Sequence, residues 1–244
     1  MSTTIQLIMK LKSTILLSAF ILSSFFVSAQ QENNIYHRCA TDSLYREAIK
    51  NPEVRKRRAE LQKFTEYFIK NNLYQQEKDI KVIPIVFHVI HNYGPENISK
   101  DQILDAVRIL NEDHGLLNSD SSDVIPEFQS IIGNNQVEFR LARKDPNNQC
   151  TDGITRTVSS LTYSASDNVK NLISWNTSKY LNVWVVESIE FGAGGYSYLP
   201  GTVINSDYRG IVVINSQLGT IGTSGGSNLC ARTLTHEVGH FFNL

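Results

Sequence analysis

At 244 residues, 41% of them hydrophobic, the chain holds ample material for a globular core. Its formal net charge of −1, from 23 basic and 24 acidic residues, excludes the basic footprint of a nucleic-acid binder. Beyond residue 29 no apolar stretch is long enough to cross a bilayer as a helix.

Residues 1–29 read as a secretory signal peptide. Lys10 and Lys12 precede an apolar run from Ile15 to Val27, and Val27-Ser28-Ala29 supplies a cleavage site before Gln30. A membrane anchor is the alternative, but the run is shorter than the roughly 18–20 apolar residues a span needs. Removal of the leader takes away two lysines and no acid, leaving 21 basic and 24 acidic residues, a formal charge of −3. The mature protein is therefore expected to be exported, with no membrane and no nucleic acid among its partners. Cys39, Cys150 and Cys230 all lie downstream; export permits disulfides, and an odd count leaves at least one thiol unpaired within the chain.

Residues 30–80 form a distinct segment. From Thr41 to Asn71 the pattern is charged and helical, with Leu61, Phe64, Tyr67 and Phe68 on one stripe and Arg55-Lys56-Arg57-Arg58 facing away. That basic run reads as a solvated helix face; a processing site for a trypsin-like protease is the alternative. Asn71 to Asp79 reads as a linker.

Composition changes at Ile80. Val82 to Ile90 is nearly continuous apolar sequence, as expected of a strand buried on both faces. Ser99 and Gln102 form a capping box opening a helix that runs to about Gly115, with Ile103, Val107 and Leu110 on its inner face. Val137, Phe139 and Leu141 alternate with polar residues as a half-buried strand, and Tyr180 to Glu187 is a strong one. Gly192-Ala193-Gly194-Gly195 reads as a turn, followed by short strands at Tyr196–Leu199 and Gly210–Ile214 and a polar loop over 219–227. Asn228 opens a final helix with Cys230, Leu234, Val238 and Phe241 as its apolar stripe. The order strand–helix–strand–strand–strand–helix predicts an α/β (α+β) layer: a twisted mixed sheet packed on a backing helix and an active-site helix, over residues 81–244.

The final helix carries His236-Glu237-Val238-Gly239-His240, an H-E-x-x-H run. Residues four apart lie one above the other on a helix, so His236 and His240 can aim imidazole nitrogens at one metal ion. Glu237 sits beside them as the candidate general base for a metal-activated water. The histidines project from a different side than the apolar stripe, so the helix can pack and still offer them to a cleft. His88 and His91 are three apart on a strand and point to opposite faces, which argues against a shared metal. His37 and His114 carry no pattern.

Together, the export signal, the Cys39 helical segment, the Ile83-Pro84-Ile85-Val86-Phe87-His88-Val89 strand, Asp152-Gly153-Ile154-Thr155-Arg156, Lys179 to Val185, and the run from Arg232 to Leu244 resemble the pappalysin/cytophagalysin family of metzincin zinc metallopeptidases, in its ulilysin-like bacterial branch. The resemblance implies a metzincin-like N-terminal subdomain preceded by a helical pro-segment, and a secreted zinc endopeptidase acting on protein or peptide substrates, made as a latent zymogen. Metzincins extend the motif to H-E-x-x-H-x-x-G-x-x-H. Asn243 stands at the Gly position, a mild change because Asn also adopts the left-handed conformation. The third histidine would fall two residues beyond Leu244, so the resemblance implies an N-terminal fragment truncated within the zinc motif, inactive as it stands, with any Ca2+ sites in the missing part.

The resemblance also implies a latency role for Cys39, whose thiolate would occupy the open zinc position. That assignment makes Cys39 the unpaired thiol and leaves Cys150 and Cys230 as a disulfide pair. The alternatives are a small buried Cys39 and disulfide partners beyond residue 244. Family likeness places the substrate-binding edge strand at Gly195, Tyr196 and Ser197, where a plain glycine-rich hairpin is the alternative. Two rival functions remain open: an exported non-catalytic binding module retaining the fold, which has no need of Glu237, and a zinc hydrolase of another class with a downstream Glu as third ligand.

Overall fold

The computed structural model describes residues 38–71 and 79–244, all within the compact unit formed by 37–244. The leader over 1–29, His37 and most of the linker lie outside the described residues. The elements are β1 (Arg38–Cys39), α1 (Thr41–Ala48), α2 (Pro52–Lys70), β2 (Lys81–His91), α3 (Lys100–His114), α4 (Pro126–Gln129), β3 (Val137–Leu141), β4 (Ile154–Val158), β5 (Leu181–Val186), β6 (Ala193–Ser197), β7 (Ile211–Ile214), α5 (Asn228–Ala231) and α6 (Thr233–Phe241), with short 3-10 turns between them.

One seven-stranded mixed sheet organises these elements, in the order β1-β6-β7-β5-β2-β3, with β4 following β3 along the same side of β2. The central strands β2, β5 and β7 are parallel and, in β2 from Ile85 onward, buried on both faces, which explains their largely apolar sequences. Ile85, Phe87 and Val89 of β2, with Val183, Val185 and Val213, meet Ile103, Ala106 and Leu110 of α3 and Leu234 and Val238 of α6. The opposite face carries Trp184, Val186, Val212, Ile214 and Tyr196, closed by Ala165, Val169 and Ile189 from the connecting loops. Both long helices of 81–244 thus back one face, and loops cover the other. β6 is antiparallel to β7 and β1 is parallel to β6, so β1 and β6 form one edge of the sheet.

Several local readings need revision. The predicted helix from Thr41 breaks at residues 49–51, because Pro52 cannot continue a helix but starts one well; Asn51 Oδ1 caps α2 through Glu53 N at 2.9 Å. Phe64 and Tyr67 on its stripe are exposed. Ser99 caps α3 as predicted, accepting from Gln102 N at 3.1 Å. The Gln102 side chain does not close the box. Fully buried, it donates to Asn215 O and Leu218 O at 2.9 and 3.0 Å and accepts from Thr223 N at 3.0 Å, pinning the loop that leads to α6. Ala193, Gly194 and Gly195 are strand rather than turn. The final helix is divided at Arg232, whose φ/ψ of −92/4 turns the chain between α5 and α6. β4 was not anticipated, since Thr155, Arg156 and Thr157 dilute its apolar signal.

His88 is a structural residue. Asn182 Nδ2 donates to Trp175 O at 2.9 Å, so its Oδ1 must accept from His88 Nε2–H at 2.8 Å, and His88 Nδ1 accepts from the Thr155 hydroxyl at 2.7 Å. Burial pushes its pKa from 6.5 down to about 4, partly opposed by the Asn182 bond. A base with a depressed folded-state pKa stabilises the fold fully above pH 6.5, and that contribution is lost as pH falls toward 4. The shift corresponds to about 3 kcal/mol. Urea denaturation between pH 7 and pH 4 is expected to show this loss, and His88→Gln, though less stable overall, should show a flatter pH dependence; parallel profiles would contradict the assignment.

Candidate metal centre

Helix α6 is held at both ends. At its start, Arg232 Nε lies 3.1 Å from Asp113 Oδ1 and Nη2 donates to Asp120 Oδ1 at 2.6 Å, while Thr235 Oγ1 donates to Asp113 Oδ2 at 2.8 Å. These bonds tie α6 to the end of α3, and the Arg232 guanidinium holds the Asp120 carboxyl far below its usual range. At the other end, Leu244 N donates to Gly239 O at 3.0 Å and Asn243 N to His240 O at 2.9 Å, the two bonds of a Schellman cap. Asn243 sits between them at φ 75, the left-handed conformation expected of the residue replacing Gly.

Leu234 and Val238 face the core and leave the histidine side open. His236 Nε2 and His240 Nε2 lie 3.0 Å apart. Nδ1–H of His240 donates to Leu244 O at 3.0 Å, which leaves Nε2 with its lone pair free for a metal. Cys39 reaches the same point from the sheet edge: its Sγ and the two imidazole nitrogens all lie within 4.8 Å of one another. Two imidazoles and a thiol at this spacing suit zinc, whose tetrahedral ligand atoms sit about 3.3–3.6 Å apart.

Glu237 is fully buried beside this cluster. Its Oε2 is 3.2 Å from Thr41 Oγ1, and Oε1 accepts no hydrogen bond among the described residues. Burial first, and then the adjacent Cys39 sulfur, push its carboxyl up to about 9, against the opposing pull of His236 and the Thr41 hydroxyl. Oε1 is thus a buried polar atom with no partner among the described residues, beside two imidazoles and a thiol, which fits a site whose shell a cation and water would complete.

The edge strand makes this burial happen. A Cβ at Gly195 would fall 3.1 Å from Glu237 Cγ and Oε1 and 3.2 Å from Thr233 Cγ2, so any side chain there would press on Glu237 and Thr233, and glycine gives β6 its close approach to α6. Ser197 also faces the site, whereas Tyr196 points into the opposite core layer. β1 occupies the open side of β6, with Cys39 opposite Gly195. Ala40 N donates to Gly195 O at 3.1 Å, and Ser197 N donates to Thr41 Oγ1 at 3.0 Å. The Thr41 hydroxyl hydrogen is shared between Ser197 O at 3.0 Å and Glu237 Oε2. Thr41 N also points to Cys39 Sγ at 3.4 Å.

The structure thus brings Cys39, His236, Glu237, His240, Gly195 and Ser197 together. Sequence reasoning missed Thr41, which carries no motif beyond standing two residues after Cys39, and Arg58. Rather than facing away with its basic neighbours, Arg58 Nη1 donates to Pro200 O at 2.9 Å and to Asn243 Oδ1, and its guanidinium stacks over Tyr45 at 5.7 Å. Cys150 and Cys230 do not pair; all three cysteines are free thiols. Cys150 is exposed in the β3–β4 loop beside Lys100 and Leu104 of α3, whereas Cys230 lies against Gln217 in the loop held by Gln102, on a different face of the same helix.

The family model described as peptidase M43, pregnancy-associated plasma protein-A, matches residues 163–244. Tannerella forsythia mature mirolysin in complex with a cleaved peptide is 38% identical, with a TM-score of 0.63 over 69% of this chain and 65% of that one. A mirolysin complex with a compound gives 37% and 0.62 over the same shares. A T. forsythia promirolysin mutant is 33% identical with a TM-score of 0.69, over 85% of this chain and 69% of that one. No curated protein matches. The chain spans 65% of mature mirolysin's length, and the longer match to promirolysin takes in a pro-segment. With a relative 33% identical covered over 69% of its length, and the zinc-helix region matched by the family model, the chain belongs to the pappalysin family of metzincin zinc metallopeptidases.

Proposed function

We propose that the whole protein is a secreted zinc-dependent endopeptidase with Glu237 as its general base, held latent by Cys39. The observation that carries this reading is the convergence of Cys39 Sγ with one imidazole nitrogen each of His236 and His240, all within 4.8 Å of one another, beside a fully buried Glu237. His236 and His240 would hold the metal throughout, and Cys39 only in the latent form.

Zinc, when bound, polarises a scissile carbonyl and acidifies water. The chain's own residues supply the rest. With a cation bound beside it Glu237 would be a carboxylate, able to take the proton of the attacking water at Oε1 and return it to the leaving amine; water is the nucleophile, so no acyl-enzyme forms. β6 orients the substrate as an added strand, using the Gly195 carbonyl and the Ser197 peptide that Ala40 and Thr41 occupy here. Residues 38–41 therefore block the site twice, by filling the strand position and by facing Cys39 to the metal. Mature mirolysin was solved with a cleaved peptide, which supports a peptide as the ligand of this edge. The leader-like sequence over 1–29 supports export, and no described helix is long and apolar enough to cross a membrane.

Arg58 gives the pro-segment a second hold. Asn243 serves the zinc helix by its left-handed turn and serves the pro-segment by accepting from Arg58, a bond that glycine at this position could not make.

Two sets of variants test the reading. In the full-length zymogen, Cys39→Ser, which lifts the block at the metal and leaves the strand block, should hydrolyse peptide weakly but measurably without prior processing while the wild type stays silent. In the activated enzyme, Glu237→Gln should keep stoichiometric zinc and lose roughly 10²–10⁴-fold in kcat. A metal-free protein, or undiminished hydrolysis by Glu237→Gln, would defeat the proposal. Arg58→Ala should loosen the pro-segment by about 1–2 kcal/mol, seen as roughly ten-fold faster activation of the zymogen, with an identical mature enzyme. An unchanged activation half-time would show that Arg58 is no latch.

A further inference from the structure

Lys170, in the 3-10 turn Asp167–Asn171, has a side chain with no solvent exposure. Its ammonium lies 2.8 Å from Asp167 Oδ1 and donates to Tyr208 O at 3.0 Å. The remaining direction is filled by ring faces: Nζ is 4.7 Å from the centroids of both Tyr196 and Tyr198, 5.5 Å from Trp184 and 5.9 Å from Tyr208. Asp167 is equally occupied, with Oδ1 accepting from the Tyr196 hydroxyl at 3.0 Å and Oδ2 from the Tyr198 hydroxyl at 2.6 Å. A lysine caged by four aromatic rings and neutralised by a carboxylate that also gathers two tyrosines is a complete polar network, satisfied at each member. Burial pushes the lysine down to about 8 and both tyrosines well above their usual range, so near pH 7 the charges and donors stay as described.

Its location gives it meaning. Tyr196 and Tyr198 stand on and just after β6, behind the edge whose front presents Gly195 and Ser197. β6 is five residues long and pairs with β7 only over Gly195–Ser197; its other neighbour, β1, belongs to the segment that, on the proposed zymogen reading, activation removes. Ala193-Gly194-Gly195 offers almost no side chain for anchoring. Beside the small, buried Ala193 and Ser197, the two tyrosines are its large anchoring side chains.

We infer that Lys170 and Asp167 are positioning residues for the peptide-binding edge: through Tyr196 and Tyr198 they fix β6 at the depth where Gly195 abuts Glu237 and the peptide groups of Gly195 and Ser197 meet an extended chain. This rests on the reading of β6 as the substrate edge. A merely structural cluster would, when weakened, lower stability across the sheet without singling out β6.

The test uses the full-length protein with two variants, Lys170→Met and the double variant Tyr196→Phe/Tyr198→Phe, the latter deleting only two hydroxyls. Hydrogen exchange is followed over residues 193–199 and over β2 and β5. Once activated, each enzyme is assayed for KM and kcat on a peptide. The expected result is exchange about ten-fold faster at 193–199 with β2 and β5 unchanged, and a KM raised about ten-fold with kcat within about two-fold. Lys170→Arg, which keeps the charge, should recover part of both effects. Wild-type exchange at 193–199, or acceleration spread evenly over the sheet, would overturn the inference. Should Lys170→Met fail to fold, the tyrosine variant decides alone. Should the wild type prove to have no peptidase activity, the zinc-peptidase reading falls, and the exchange data still decide whether the cluster holds β6.

Discussion

The contact on which the site depends is the approach of the Gly195 backbone to Glu237. A side chain at residue 195 would press on the Glu237 carboxyl at 3.1 Å, so glycine lets a sheet edge lie closely against the helix that carries the histidine pair. Three consequences follow from that one contact. Glu237 is removed from water and its carboxyl pushed upward. The Gly195 and Ser197 peptide groups come to lie beside the histidine pair. An extended chain added to the same edge is delivered to the metal position, as Cys39 is here.

The remainder of the molecule holds those two elements in place. Helix α6 is packed through Leu234 and Val238, tied to α3 through Arg232, Asp113 and Thr235, and stopped by a Schellman cap at Asn243. Gln102 secures the loop before it, and the caged Lys170 with Asp167 sits behind β6. The helix and the strand are thus each fixed from the side away from the site. The front faces the cleft where Cys39 meets the histidine pair.

Much of this was legible in the sequence, because the signals were local. The i, i+4 histidines, the Ser99 cap, the apolar runs of β2 and β5 and the left-handed Asn243 each follow from the geometry of a single element. What escaped was non-local. Ala193-Gly194-Gly195 looked like a turn because glycine commonly signals one, whereas Gly195 answers to a helix some forty residues downstream. A two-residue strand at Arg38–Cys39 has no periodicity to detect, and its pairing depends on β6. Gln102 satisfied a capping pattern, but tertiary contacts claimed its side chain. The basic run at 55–58 looked uniformly solvated until the partners of Arg58 were placed by the fold. The family likeness, by giving Cys39 the latency role, left Cys150 and Cys230 as a disulfide pair, and nothing in the sequence shows that one lies beside Lys100 and Leu104 and the other against Gln217.

Latency and catalysis, in this account, compete for one coordination position beside one carboxylate. Zinc K-edge X-ray absorption on the full-length zymogen tests that most directly, because it reads the donor atoms themselves. The account predicts one stoichiometric zinc with a single sulfur near 2.3 Å and imidazole nitrogens near 2.0 Å, the sulfur vanishing in Cys39→Ser and on removal of the pro-segment. A zinc shell without sulfur in the intact zymogen, or a sulfur that survives loss of Cys39, would contradict it.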